Sequence, residues 1–122
     1  MSKSDEDDDL DSFLMTSPEK LALPAYAHVP GKNPRPDTTF LEEVAGCAVQ
    51  PTADETAESN MAWRYGLRLL DNGFHWEAHE VLESVWMNAP PNSRERHLVQ
   101  GLIHIANAEL KLRMGRPPAA GR

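Results

Sequence analysis

The residues best suited to chemistry lie in one short run, His75-Trp76-Glu77-Ala78-His79-Glu80-Val81-Leu82-Glu83-Ser84-Val85-Trp86. His75, His79 and Glu83 recur every four residues and Trp86 follows three later, so a helix carries all four on one face. Ala78, Leu82 and Val85 share that face, which marks it as the side expected to be buried. Glu77, Glu80 and Ser84 fall on the opposite side of the wheel. Ionisable groups on a buried stripe are costly unless they are paired or bound to a metal. His79 and Glu83, one turn apart, offer an imidazole nitrogen and a carboxylate oxygen to one divalent ion such as zinc, manganese or iron. His75 and Glu83 are separated by about 12 Å along the axis, so a complete site needs a ligand from elsewhere. His28, His104, Glu109 or a residue of a second chain are the candidates.

Two other readings compete with a metal or ligand site. A purely structural one has Glu83 accept hydrogen bonds from His79, an indole N–H or a backbone amide, so that the motif only locks helix packing. A protease reading starts from His79-Glu80-Val81-Leu82-Glu83, similar to the HExxH of zinc proteases with glutamate in place of the second histidine. The missing histidine weakens it. No serine or cysteine is paired in sequence with a base, and Cys47 stands alone in a proline-rich stretch, so a nucleophilic hydrolase has little support.

The elements around the motif read as helices. Thr52-Ala53-Asp54-Glu55 has the spacing of a capping box. Ala62, Tyr65, Gly66, Leu69 and Leu70 then form an apolar stripe, with Asn60, Arg64 and Arg68 facing away, and Asn72-Gly73 provides a left-handed stop. The motif helix spans about Phe74 to Met87 and ends before Pro90-Pro91. Asn92 caps a third helix in this reading, with Leu98, Val99, Leu102, Ile105, Ala106 and Leu110 buried and Gly115 ending it. Gln100, His104, Asn107 and Lys111 lie on its polar side, whereas Glu109 falls near Leu102 and Ile105 and is able to point inward.

Residues 21–53 contain five prolines, which forbids a long helix and suits an extended chain wrapping over the helices, with a turn or two of helix over Phe40 to Ala45. The expected organisation is a disordered acidic tail (1–20), the wrapping segment (21–53), a helical domain (54–116) and a short tail (117–122). The fold class is all-α, a small bundle of three main helices with an extended proline-rich N-terminal segment. About sixty helical residues make a marginal core, so association into a homo-oligomer is an open expectation.

The whole chain of 122 residues carries a net charge of −7, split as −5 over residues 1–20, −6 over 21–93 and +4 over 94–122. That balance argues against nonspecific nucleic-acid binding, which needs a dominant cationic surface. One cysteine excludes an internal disulfide and a multi-cysteine zinc module. The acidic start lacks the apolar core of a signal peptide, and no apolar run approaches the length of a membrane span, so a soluble, cytoplasmic protein is expected.

Phe74 to Trp86, followed by Gln100-Gly101-Leu102-Ile103-His104-Ile105-Ala106, resembles the family known as domain of unknown function 309. The family's H-x-x-x-E-x-x-W/Y hallmark is matched by His79, Glu83 and Trp86, and its Q-G-L-I-Q-x-A block by Gln100 to Ala106, with His104 where glutamine is usual. Val29-Pro30-Gly31-Lys32-Asn33-Pro34-Arg35-Pro36 is similar to the family's V-P-G-x-x-P-H-P, with Arg35 replacing histidine. The resemblance covers about residues 22–36 and 60–116. It implies a small helical bundle of a bacterial and archaeal family with no established activity, for which metal binding has been suggested from the motif. Many members continue past the point where this chain stops, after Pro117-Pro118-Ala119-Ala120, so the resemblance implies that a final helix is missing here.

The expectation is therefore an uncharacterised helical protein with a buried polar site that binds a divalent metal or a small ligand. His79 and Glu83 are its ligands, and His75, Trp86, Gln100 and His104 support them. The alternative is a structural or interaction module.

Overall fold

The computed structural model describes residues 21–115, and the expected tails at 1–20 and 117–122 lie outside the described residues. Four α-helices are present: α1 (Thr39–Ala45), α2 (Met61–Asp71), α3 (His75–Met87) and α4 (Arg94–Arg113), with a 3-10 turn at Asp54–Thr56 between α1 and α2. No strand occurs among the described residues, so the all-α reading holds; α1 is the short helix expected over Phe40 to Ala45, beside the three main helices. No described helix is long and apolar enough to cross a membrane.

The motif helix, α3, is the centre of the bundle. It packs against α1, α2 and α4, so each of its faces except one is covered. Ala78, Val81, Leu82 and Val85 have no solvent exposure and define its core stripe. At 100° per residue that stripe is centred about 90° from Glu77 and about 110° from His79. The wheel read from the sequence was centred on the histidines and left Val81 out, which displaced the buried arc toward Glu83.

Helix starts shift for a similar reason: the capping groups are used by other partners. Thr52 does not open a helix; its hydroxyl donates to the Val85 carbonyl at 2.6 Å and its N–H donates to the Asn88 carbonyl at 2.9 Å. These bonds satisfy carbonyls that the end of α3 leaves open. The N-cap of α2 is Asn60, whose side chain accepts from the Trp63 N–H at 3.2 Å. Asn60 was expected to face away, yet it is buried. The cap of α4 is Ser93, accepting from the Arg96 N–H at 3.1 Å, while Asn92 takes the left-handed turn before it with φ 63°.

On α4, Val99, Ala106 and Leu110 are buried with Ile103 partly buried beside them, a stripe at i, i+4, i+7 and i+11. Leu98 and Ile105, expected inside, are 57% and 54% exposed. The helix has apolar residues on two neighbouring faces, and α3 covers only one.

The α2–α3 crossing is close because Gly66 has no side chain. A Cβ there would lie 2.6 Å from Leu82 Cδ2 and 2.9 Å from Leu82 Cγ, whereas a Cβ on Gly101 of α4 would meet nothing within 4 Å. Alanine in a helix interior is favoured over glycine by about 1 kcal/mol, and overpacking a tight core costs about 1–3 kcal/mol. Gly101→Ala is therefore expected to raise stability by up to about 1 kcal/mol. Gly66→Ala is expected to fall below the wild type. Urea unfolding of the two variants checks the order, and a Gly66→Ala protein as stable as Gly101→Ala would contradict the close approach.

Candidate functional site

The proline-rich segment folds first through its own turn chemistry. Val29-Pro30-Gly31-Lys32 places proline second and a positive-φ glycine (φ 84°) third, and the Lys32 N–H donates to the Val29 carbonyl at 2.9 Å. Asn33 then ties the turn together. Its Oδ1 accepts from the Val29 N–H at 3.0 Å and lies 3.0 Å from His28 Nδ1, and its Nδ2 donates to the Ala27 carbonyl at 2.9 Å. Because an amide oxygen only accepts, the contact places the proton on His28 Nδ1.

This turn presents His28 to the start of α3. The His28 N–H donates to Glu77 Oε2 at 2.8 Å, and the His28 ring stands edge-on to Trp76 with centroids 4.8 Å apart. The Arg35 guanidinium lies 5.3 Å from the same indole, a cation–π contact. Tyr26 closes the segment by donating its hydroxyl to the Pro34 carbonyl at 2.7 Å.

Glu77 is thus the buried carboxylate, only 1% exposed, and this corrects the expectation that it lies outside the core. Burial pushes its carboxyl above the usual glutamate range, against the His28 N–H bond, its own backbone N–H and the charge of His28, which lower it. The third position of α3 adds the positive end of the helix dipole. Oε1 is buried without a hydrogen-bond partner. Glu77 lines a pocket of about 340 Å³ whose other walls include Leu23, Pro24, Pro36, Phe40 and Leu41. Asp37 also lines it. The exposed Asp37 carboxylate is held below its ordinary value by the side-chain and backbone hydrogen bonds of Thr39.

The residues predicted from the sequence do not gather at one point. His79 Nε2 and Glu83 Oε2 are 3.5 Å apart, but their side chains are 27% and 56% exposed, so the pair lies at the solvent edge of α3. Among the described residues no group of three or more His, Cys, Asp or Glu side chains is placed to hold a metal ion. Gln100, His104 and Glu109 are exposed on α4, which corrects the inward reading of Glu109. Trp86 carries the Arg96 guanidinium 4.0 Å above its ring, and Arg96 Nη1 donates to the Ala89 carbonyl at 2.9 Å. That contact joins the end of α3 to the start of α4. The indole Nε1 of Trp86 is buried without a partner.

His75 is buried as expected, and neither ring nitrogen has a hydrogen-bond partner. Burial holds its imidazole below the usual histidine value; the charge of Arg113 pushes the same way and that of Glu109 opposes it.

Residues 63–122 match the family described as domain of unknown function (DUF309). The family assignment is thus supported from α2 through α4. Within the DUF309 match lie Glu77, His79, Glu83 and Trp86, while His28, Asn33 and Arg35 lie outside it. The Glu77 pocket is therefore built jointly by the DUF309 helices and the preceding segment. No curated protein and no solved structure gave a significant match to the chain.

The two buried ionisable groups give opposite pH dependences. Glu77 binds its proton more tightly folded than unfolded, so its contribution to stability is present below about pH 4.3, the unfolded glutamate value, and is lost as pH rises through the folded value. His75 binds its proton less tightly folded, so stability is lost as pH falls below about 6.5. Glu77→Gln keeps an acceptor for the His28 N–H and removes the charge, and its stability relative to wild type is expected to grow from pH 4 to pH 7. His75→Phe is expected to gain on wild type as pH falls from 7 to 5. Melting temperatures across pH test both, and a pH-independent difference for either variant would contradict its assigned burial.

Proposed function

We propose that the protein binds a small organic ligand in the pocket that Glu77 closes. The observation carrying this reading is the Glu77 carboxylate, which is buried, has one oxygen without a donor, and borders an apolar-walled space of about 340 Å³. An acceptor withdrawn from water and left unpaired costs on the order of 1–3 kcal/mol, more when charged, and a ligand donor offsets that cost. Apolar walls with few polar groups are the usual build of a small-molecule site, and the volume lies at the lower end of that range. Phe40 stacks edge-on with Tyr65 at 5.8 Å, and Leu41 is buried in the core, so the walls stand on the packed helices.

Divalent-metal binding at His79 and Glu83 is a second reading, supported by the 3.5 Å approach of their donor atoms. At this exposed edge the pair supplies two ligands, and the remaining positions would fall to water or to a second copy of the chain. The two readings are spatially separable. NMR titration of the full chain with 1-pentanol is expected to shift amides of Leu23, Phe40 and Leu41. Broadening by added Mn²⁺ is expected at His79 and Glu83 and is removed by His79→Ala. Pentanol shifts scattered away from residues 22–41 would sink the pocket reading. Mn²⁺ broadening that survives His79→Ala would sink the metal reading.

A further inference from the structure

The chemistry of the pocket specifies the class of its ligand. An ionised carboxylate only accepts hydrogen bonds, so Glu77 Oε1 calls for a donor. Oε2 is already engaged by the His28 N–H, which fixes the orientation of the carboxylate and leaves Oε1 as the buried oxygen without a partner. Among the described residues that line the pocket the charged side chains are Glu77 and Asp37, both acidic, and none is Lys, Arg or His. Their combined field repels anions and favours a positive ligand. Asp37 is fixed in place by its bonds to the Thr39 N–H and hydroxyl, at 2.9 and 2.7 Å.

A bare metal ion fits this set poorly. Hard divalent cations take six or more oxygen ligands, and even magnesium retains several waters, whereas the apolar walls of Leu23, Pro24, Pro36 and Phe40 offer none from their side chains. Those walls suit a hydrocarbon chain instead. An alkyl group laid along them leaves water, at about 25 cal/mol per Å² of apolar surface, while an ammonium head pairs with the carboxylate. Pairing a buried charge also relieves the penalty of its isolation.

We infer that the Glu77 pocket recognises a small aliphatic amine, with the ammonium group donating to Glu77 Oε1 and the alkyl chain lying between Leu23, Pro36 and Phe40. This rests on the small-ligand reading above and names the chemistry of that ligand. No covalent step is involved.

The test compares three probes of equal chain length on the full chain, pentylammonium chloride, 1-pentanol and sodium pentanoate, by NMR titration and calorimetry near pH 7.5. Pentylammonium is expected to bind at least tenfold more tightly than 1-pentanol, and pentanoate more weakly than either. Glu77→Gln is expected to cut the amine's advantage over the alcohol to about twofold, the share left to Asp37. Asp37→Asn, an exposed position, is expected to reduce the amine's advantage by a smaller factor of roughly two, consistent with a solvent-screened charge. Equal binding of amine and alcohol by the wild-type protein would overturn amine recognition while the pocket stands. An amine advantage that persists undiminished in Glu77→Gln would do the same. Failure of every probe to shift residues 22–41 would remove the pocket reading together with the inference.

Discussion

The hydrogen bond from the His28 N–H to Glu77 Oε2 is the constraint on which the rest of the site depends. It joins a proline-rich segment, which has little regular structure of its own, to the first turn of the central helix. The segment's turn is organised by Gly31 and Asn33, and the position of His28 follows from that turn. Once His28 is placed, Glu77 is oriented, Trp76 is flanked by His28 and Arg35, and the chain from Leu23 to Leu41 closes a pocket over the carboxylate. A carboxylate at the third position of a helix normally caps its own backbone in solvent. Here it is covered, and the cover is the wall of the pocket.

The cost of that arrangement is visible in the ionisation of the two buried groups on α3. Glu77 and His75 are each displaced toward the neutral form by burial. They face different surroundings: His28 and the proline-rich segment for Glu77, and the charges of Arg113 and Glu109 for His75. The helix therefore carries one polar group at each flank of its apolar stripe, and Ala78, Val81, Leu82 and Val85 lie between them. Solvent reaches the remaining edge, where His79 and Glu83 approach one another.

Much of the fold was legible in the sequence because local signals were strong. The period of apolar residues marks the three long helices, and Gly73 ends α2 with φ 86° where the Asn72-Gly73 stop was expected. The site was less legible, since its key contact joins residues 49 apart in sequence. The wheel alone placed Glu77 outside because four apolar residues, Ala78, Val81, Leu82 and Val85, must be weighed together to find the arc's centre, and the histidines drew it the other way. The V-P-G-x-x-P segment was a usable signal, as its turn could be read from Pro30 and Gly31, but nothing local specifies which helix receives His28. On α4 the ambiguity was physical: two apolar faces adjoin, and only the position of α3 decides that Val99 and Leu110 are covered while Leu98 and Ile105 are not.

The most direct measurement is the pH titration of the Glu77 side-chain carboxyl by carbon-detected NMR, with and without saturating pentylammonium. The account predicts a midpoint above the ordinary glutamate range in the free protein, and a downward displacement when the amine is bound, because a paired cation favours the ionised form. An ordinary midpoint that the amine leaves unmoved would contradict both the burial of this carboxylate and its role as the polar end of the pocket.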